Sequence, residues 1–123
     1  MQLSRLALAG LTAAAVLLGT APTRANDASN RAAYDAVVKC VVAIGEAKLD
    51  ERDAGRPTRA AEYETKTRRS YDLAFKIGAK LGLSGDQVQH DLDGAIDTEL
   101  PRMMHNRSYY LDVVSTCKAI GLM

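Results

Sequence analysis

The stretch LGLSGDQV, residues 81–88, carries the signals that end one helix and begin the next. Gly82 can adopt the left-handed backbone conformation that terminates a helix, with Leu83 folding back onto the helix it ends. Ser84 and Gln87 have the spacing of a capping box, in which each side chain accepts a hydrogen bond from the other residue's backbone N–H. The sequence therefore predicts a tight turn between two helices that are neighbours in space.

Helical periodicity extends outward on both sides of this turn. Apolar residues recur at spacings of three and four, which predicts helix 2 from about Thr58 to Leu81 and helix 3 from Ser84 to Pro101. Pro101 should end or kink helix 3, because it lacks a backbone N–H. The residues predicted to be buried are Ala60, Tyr63, Thr67, Tyr71, Ala74, Ile77 and Leu81 in helix 2, and Val88, Leu92, Ala95, Ile96 and Leu100 in helix 3.

Two further helices complete the pattern. Helix 1 is predicted from about Ser29 to Arg52, and helix 4 from Asn106 or Ser108 to Gly121. No segment alternates apolar and polar residues as a half-buried strand would. The residues predicted to be buried are Ala33, Val37, Cys40, Val41, Ile44 and Ala47 in helix 1, and Tyr110, Val113, Val114, Cys117 and Ile120 in helix 4.

The two cysteines, Cys40 and Cys117, predict how these helices are arranged. Short connections between four helices favour an up-down-up-down bundle, in which helices 1 and 4 are antiparallel neighbours. Each cysteine lies about 15–16 Å from an opposite helix end at 1.5 Å per residue, so the two meet at the same height. Without a C-x-x-C motif, a structural disulfide is favoured over a redox or nucleophilic thiol. We expect an all-α, small four-helix up-down-up-down bundle with one disulfide joining helices 1 and 4.

Residues 1–25 have the pattern of a cleavable secretory signal peptide. Arg5 precedes an uncharged apolar run at residues 6–18, and small residues lead to a cleavage site after Ala25. A membrane anchor is the alternative, but a run of this length spans only about 20 Å against about 30 Å of hydrocarbon. The expected product is a single helical domain, residues 26–123, in the periplasm or extracellular space, without stable membrane insertion.

The charge of the mature chain is nearly balanced but unevenly distributed. Removing Arg5 and Arg24 from the 16 Lys and Arg leaves 14 bases against 15 acids, which gives no electrostatic reason to expect nucleic-acid binding. Arg56–Lys80 holds seven bases and three acids, whereas Ser84–Leu100 holds five acids and no Lys or Arg. These charges either match each other inside the bundle or form a dipolar surface that steers a charged partner.

The segment 101–110 is the best candidate for a protein-binding surface. It concentrates Arg, Met and Tyr, which are enriched at protein interfaces, in what the sequence predicts to be a loop. We expect Arg102, His105, Arg107 and Tyr109 to face outward there and contact a partner. In the alternative hypothesis, which we favour, Met103 and Met104 close the end of the bundle, Tyr110 enters the core and the segment is structural.

The acidic stretch offers a weaker metal hypothesis. Asp86, His90, Asp93 and Asp97 share one helical face, and His with carboxylates at this spacing can hold a divalent cation. The alternative is an ordinary solvated helix face, which we favour. An EF-hand loop over residues 89–100 is disfavoured because acidic ligands are missing at its first and last positions. We therefore expect no metal and, without a C-x-x-C-H motif, no haem or other cofactor.

The sequence contains none of three common motifs of enzyme active sites. It has no G-x-S-x-G, H-E-x-x-H or P-loop motif. The leading hypothesis is a small exported, non-enzymatic helical protein that binds a protein partner. A metal-binding or small-molecule-binding bundle and an envelope-stress chaperone are the alternatives.

Overall fold

Four helices form the fold. The computed structural model describes the backbone of residues 2–123 and the side chains of residues 26–123. The helices are α1 (Gln2–Asp53), α2 (Pro57–Lys80), α3 (Gly85–His105) and α4 (Arg107–Ala119). The described backbone contains no strand, and the predicted all-α, up-down-up-down bundle is confirmed.

Helix α1 is the centre of the bundle and packs against each of the other three helices. Between Val37 and Ile44 only Lys39 is exposed, so this part of α1 is enclosed on nearly every side. The sequence predicted one buried face on helix 1, whereas this part of α1 is buried on several faces. It was also wrong at Ala33, which is exposed, while the neighbouring Tyr34 is buried.

The disulfide predicted between helices 1 and 4 is confirmed. Cys40 and Cys117 are bonded with a Cα–Cα distance of 5.6 Å, and neither has any exposed surface. Cys40 lies 13 residues before the end of α1, and Cys117 lies two residues before the end of α4. Within the described residues, no helix combines the length and the apolar character needed to cross a bilayer.

The start of α1 differs from the prediction. The helix is continuous from Gln2 to Asp53, so it does not begin at about Ser29 as predicted. No glycine or proline lies between Asn26 and Ala33, and the alanines of this stretch favour continuation of a helix. The predicted signal peptide, residues 1–25, lies outside the described side chains, and its cleavage remains a prediction.

The junction between α2 and α3 has the predicted structure. Gly82 has a φ of 77°, and its N–H and that of Leu83 donate to the carbonyls of Ala79 and Gly78 at 3.1 and 2.9 Å. This is the Schellman pattern of a helix end. The Ser84 hydroxyl accepts from the backbone N–H of the third helical residue at 3.1 Å, and the reciprocal bond of the capping box measures 2.8 Å.

Substitutions at this junction should destabilise the protein by different amounts. Ser84→Ala should lower the free energy of unfolding by about 0.5–2 kcal/mol through loss of the cap. Gly82→Val should cost more, because a β-branched residue is strained at positive φ. The cost there is conformational, since no atom lies within 4 Å of an added Cβ. Urea denaturation measures both values, and a Gly82→Val protein as stable as Ser84→Ala would contradict this ranking.

The segment 101–110 is helical rather than a loop. Helix α3 continues through Pro101 to His105, and Asn106 alone separates it from α4. The Asn106 N–H donates to the Arg102 carbonyl, and its side-chain Oδ1 accepts from the Tyr109 N–H, each at 3.0 Å. Pro101 removes only one backbone hydrogen bond. We call the region Glu99–Tyr110 the α3–α4 elbow.

Besides Ala33, two residues predicted to lie in the core are exposed instead. Ile96 is 36% exposed because α2 and α3 do not close over α1 at its level, which leaves a groove. Ile120 is 47% exposed because it follows the end of α4, where Leu122 occupies the buried position.

Candidate functional site

Two of the four predicted contact residues form a self-contained cluster in the α3–α4 elbow. The Arg102 guanidinium lies 3.7 Å from the centroid of the Tyr109 ring and 4.0 Å from the Glu99 carboxylate. The Tyr109 hydroxyl donates to Glu99. Burial and the adjacent Glu99 carboxylate raise the pKa of this hydroxyl. The Tyr109 side chain is thus half-buried and hydrogen-bonded to Glu99, whereas the sequence predicted that it faces solvent.

Arg107 lies apart from this cluster. Its guanidinium is 5.2 Å from the centroid of the Tyr110 ring. Together with Met104 and Glu46 it lines a hollow of about 250 Å³. His105 is exposed at the end of α3. The structure therefore pairs Arg102 with Tyr109 and places Arg107 in different surroundings.

A groove that the sequence did not reveal opens between α2 and α3, above α1. Its volume is about 200 Å³, and most of its surface belongs to aliphatic and aromatic side chains. Its lining residues, which define the apolar groove, are Val41, Val42, Gly45, Glu46, Lys48, Leu49, Thr67, Tyr71, Ile96 and Leu100. The floor is open above Gly45, where an added Cβ would have no atom within 4 Å.

Exposed apolar side chains converge on this groove. Of the five large apolar side chains exposed in the described part of the chain, Leu49 (42%) and Ile96 (36%) line it, and Met104 (63%) lines the adjoining hollow. Glu46 lines both spaces, so they are neighbours. Ile96, Leu100 and Met104 are spaced four residues apart and therefore form one stripe along α3.

The groove contains one carboxyl group without a cationic partner. Burial and the neighbouring Asp50 carboxylate raise the pKa of Glu46, with a smaller contribution from Asp53. Glu46 makes no ion pair with any described Lys or Arg. The lysine in the groove, Lys48, instead donates to Glu64 at 2.7 Å.

The four candidate metal ligands are not brought together as a ligand set. Asp86, His90, Asp93 and Asp97 are exposed along α3, and the Gln89 amide donates to Asp93 at 3.0 Å. Within residues 26–123, no three His, Cys, Asp or Glu side chains are placed to share a metal ion.

A second groove, between α1 and α3, is polar. Its volume is about 510 Å³, and its charged or titratable lining residues are Arg31, Asp35, Lys39, His90, Asp91 and Glu99. At its base the Tyr34 hydroxyl donates to Asp91 at 2.7 Å. Burial, and then the Asp91 carboxylate, raise the pKa of Tyr34 far above its usual range. This contact satisfies the hydroxyl of a buried tyrosine that the sequence prediction missed.

The predicted matching of charges between helices 2 and 3 is absent from the described residues. No ion pair there joins α2 to α3; the bases of α2 that form ion pairs contact Glu51 and Glu64. The carboxylates at Asp86, Asp93 and Asp97 are exposed to solvent. They are therefore available to groups outside the molecule.

Comparison with protein-family models, curated proteins and solved structures finds no match for this chain. The functional proposal therefore depends on the surface of the molecule. The apolar groove is the surface that combines exposed apolar side chains with an unpaired carboxyl group.

Proposed function

We propose that this chain is a small exported, non-enzymatic helical protein that binds a protein partner through the apolar groove, in the periplasm or extracellular space. The observation that carries the proposal is that the exposed side chains of Leu49 and Ile96 line the apolar groove and exposed Met104 lines the hollow next to it. Scattered exposed apolar residues are ordinary, but a contiguous apolar patch marks an interaction site. The Cys40–Cys117 disulfide fits an oxidising compartment outside the cytosol.

The shape of the groove suits a small, reversible contact. Two helices form its walls and a third forms its floor, which is the form of a groove that accepts a helical segment. Arg107 and Met104 bring the 101–110 segment into this surface. Arg102, His105 and Tyr109 remain predicted partner contacts at the α3–α4 elbow, separate from the groove.

A small-molecule site in the polar groove is the second candidate. The observation in its favour is the volume of about 510 Å³ with Arg31, His90 and Asp91 on its walls. Its charges would suit a small polar or zwitterionic ligand. Gly94 also lines this groove and has no atom within 4 Å of an added Cβ, so Gly94→Leu would obstruct it.

Site-specific photo-crosslinking in the producing cells tests the principal proposal. A crosslinking residue at Leu49 or Ile96 should give one discrete adduct of the same mass, whereas exposed Thr65, on α2, should give none. Gly45→Leu should abolish the adduct by filling the groove, because its added side chain enters open space and leaves the helix intact.

Gly94→Leu is the matched control, because it changes a helical glycine with equally open surroundings outside the apolar groove. It should leave the adduct unchanged. Equal adducts from Thr65, or adducts that persist in Gly45→Leu, would show that the apolar groove is not the binding surface. Loss of the adduct in Gly94→Leu alone would instead favour the polar groove.

A further inference from the structure

The length of the apolar stripe on α3 matches one face of a helix. Ile96 and Leu100 line the apolar groove and Met104 lines the adjoining hollow, and the eight residue steps from Ile96 to Met104 span about 12 Å at 1.5 Å per residue. Three apolar side chains at positions i, i+4 and i+7 of a bound helix span about 10 Å, so two turns of helix fit along this stripe. A floor left open above Gly45 gives the central anchor room to enter.

The border of the groove on the α3 side is negatively charged. Asp93 precedes Ile96 by three residues and Asp97 precedes Leu100 by three, so each carboxylate lies beside an apolar wall residue. Both aspartates are exposed, and neither forms an ion pair with a described residue. Glu46 adds a third carboxyl group, in the groove itself.

Three basic residues near the groove contact other side chains of the protein. Lys48 and Arg68 both pair with Glu64, at 2.7 and 3.5 Å, and the Arg107 guanidinium lies over the Tyr110 ring. None of these three bases pairs with Asp93 or Asp97, so the α3 border of the groove keeps its two negative charges. Charge complementarity favours a cationic occupant, and like-charged segments are disfavoured.

We propose that the apolar groove binds a cationic amphipathic helix of the partner protein, with the helix's apolar stripe on Ile96 and Leu100 and its Lys or Arg side chains beside Asp93 and Asp97. This inference rests on the proposed function and names the chemistry of the partner. Burial of the apolar stripe supplies most of the affinity, and the carboxylates select the sign of the charge.

Two synthetic peptides of about 18 residues, five helical turns, test the charge of the occupant. Both carry Leu at i, i+4 and i+7; one has Lys at the flanking positions and the other has Glu there. Fluorescence anisotropy with the disulfide-bonded protein should show that the Lys peptide binds at least about tenfold more tightly at low salt. Gly45→Leu should weaken its binding at least about tenfold by occupying the floor.

Asp93→Asn with Asp97→Asn should weaken binding of the Lys peptide about three- to tenfold and reduce its salt dependence. Asp27→Asn with Asp112→Asn makes the same change in net charge away from the groove and should alter binding less than about twofold. An unchanged affinity in the Asp93 and Asp97 double variant would overturn the inference, as would tighter binding of the Glu peptide.

Other outcomes separate this inference from the proposed function. Equal binding of both peptides, lost in Gly45→Leu, would overturn the cationic preference and leave a protein-binding groove. If neither peptide binds, the inference fails, and the crosslinking experiment alone decides the proposed function. If sedimentation velocity reveals a concentration-dependent dimer that Gly45→Leu dissociates, the groove would be assigned to a second copy of this chain. That result would overturn the inference of a cationic partner helix.

Discussion

Replacing Cys40 and Cys117 together by alanine should lower the free energy of unfolding by about 2–5 kcal/mol. The disulfide closes a loop with a sequence separation of 77, so its removal releases a large conformational entropy in the unfolded chain. Both sulfur atoms are buried, and their loss also leaves space between α1 and α4. For a domain of about 100 residues, the thermal midpoint should fall by at least about 8 °C.

Reduction of the wild-type protein is the control for this double variant. Urea denaturation in the presence of a dithiol should give most of this loss, and slightly less than the double variant, because the bond is removed while both cysteine side chains remain to fill the space. A stability equal to that of the oxidised wild type would show that the bond contributes nothing. Two alkylatable thiols in native protein would show that it does not form.

Gly78→Ala should destabilise the protein by about 1–3 kcal/mol, although alanine is normally the better helix former. An added Cβ would lie 2.5 Å from Cγ2 of Val88 and 3.4 Å from Cε2 of Tyr34. Val88 and Tyr34 are each only 1% exposed, so neither can move into solvent to make room. Overpacking therefore outweighs the gain in helix propensity, which is about 0.5–1 kcal/mol.

Gly94→Ala provides the matched control for this substitution. Gly94 also lies inside a helix, but an added Cβ there has no atom within 4 Å. Its substitution should raise the free energy of unfolding by about 0.5–1 kcal/mol. Chemical denaturation of both proteins should thus give shifts of opposite sign. A Gly78→Ala protein that gained stability would show that α2 and α3 separate easily at this point.

The sequence predicted those parts of the fold that depend on neighbouring residues. Gly82, Ser84 and Gln87 specify their turn through bonds to residues at most five positions away, and periodicity located the helices. The central position of α1 depends on how three other helices surround it. The burial of Tyr34 and the close contact at Gly78 follow from that arrangement, and no local pattern encodes them.

The candidate site was less predictable for the same reason. Ile96 has the periodicity of a core residue, and its exposure depends on whether α2 and α3 meet above α1. Leu49 likewise belongs to no predicted stripe, yet it forms part of the groove. Two of the residues predicted to contact a partner instead contact tyrosines of the same molecule, Arg102 on Tyr109 and Arg107 on Tyr110. The prediction could not assign Arg102 and Arg107 to different surroundings, because their orientations depend on the single-residue turn at Asn106.

The bond between Cys40 and Cys117 also makes most of the chain a covalent ring. Residues 40–117 lie within this ring. It includes the whole of α2 and α3 and all three connections between helices. A protease that cuts the exposed connection between α1 and α2 would therefore leave the two pieces attached. In any compartment that contains peptidases, a nicked molecule would therefore keep its bundle together. The ring thus protects the integrity of the assembled helices as well as their equilibrium stability.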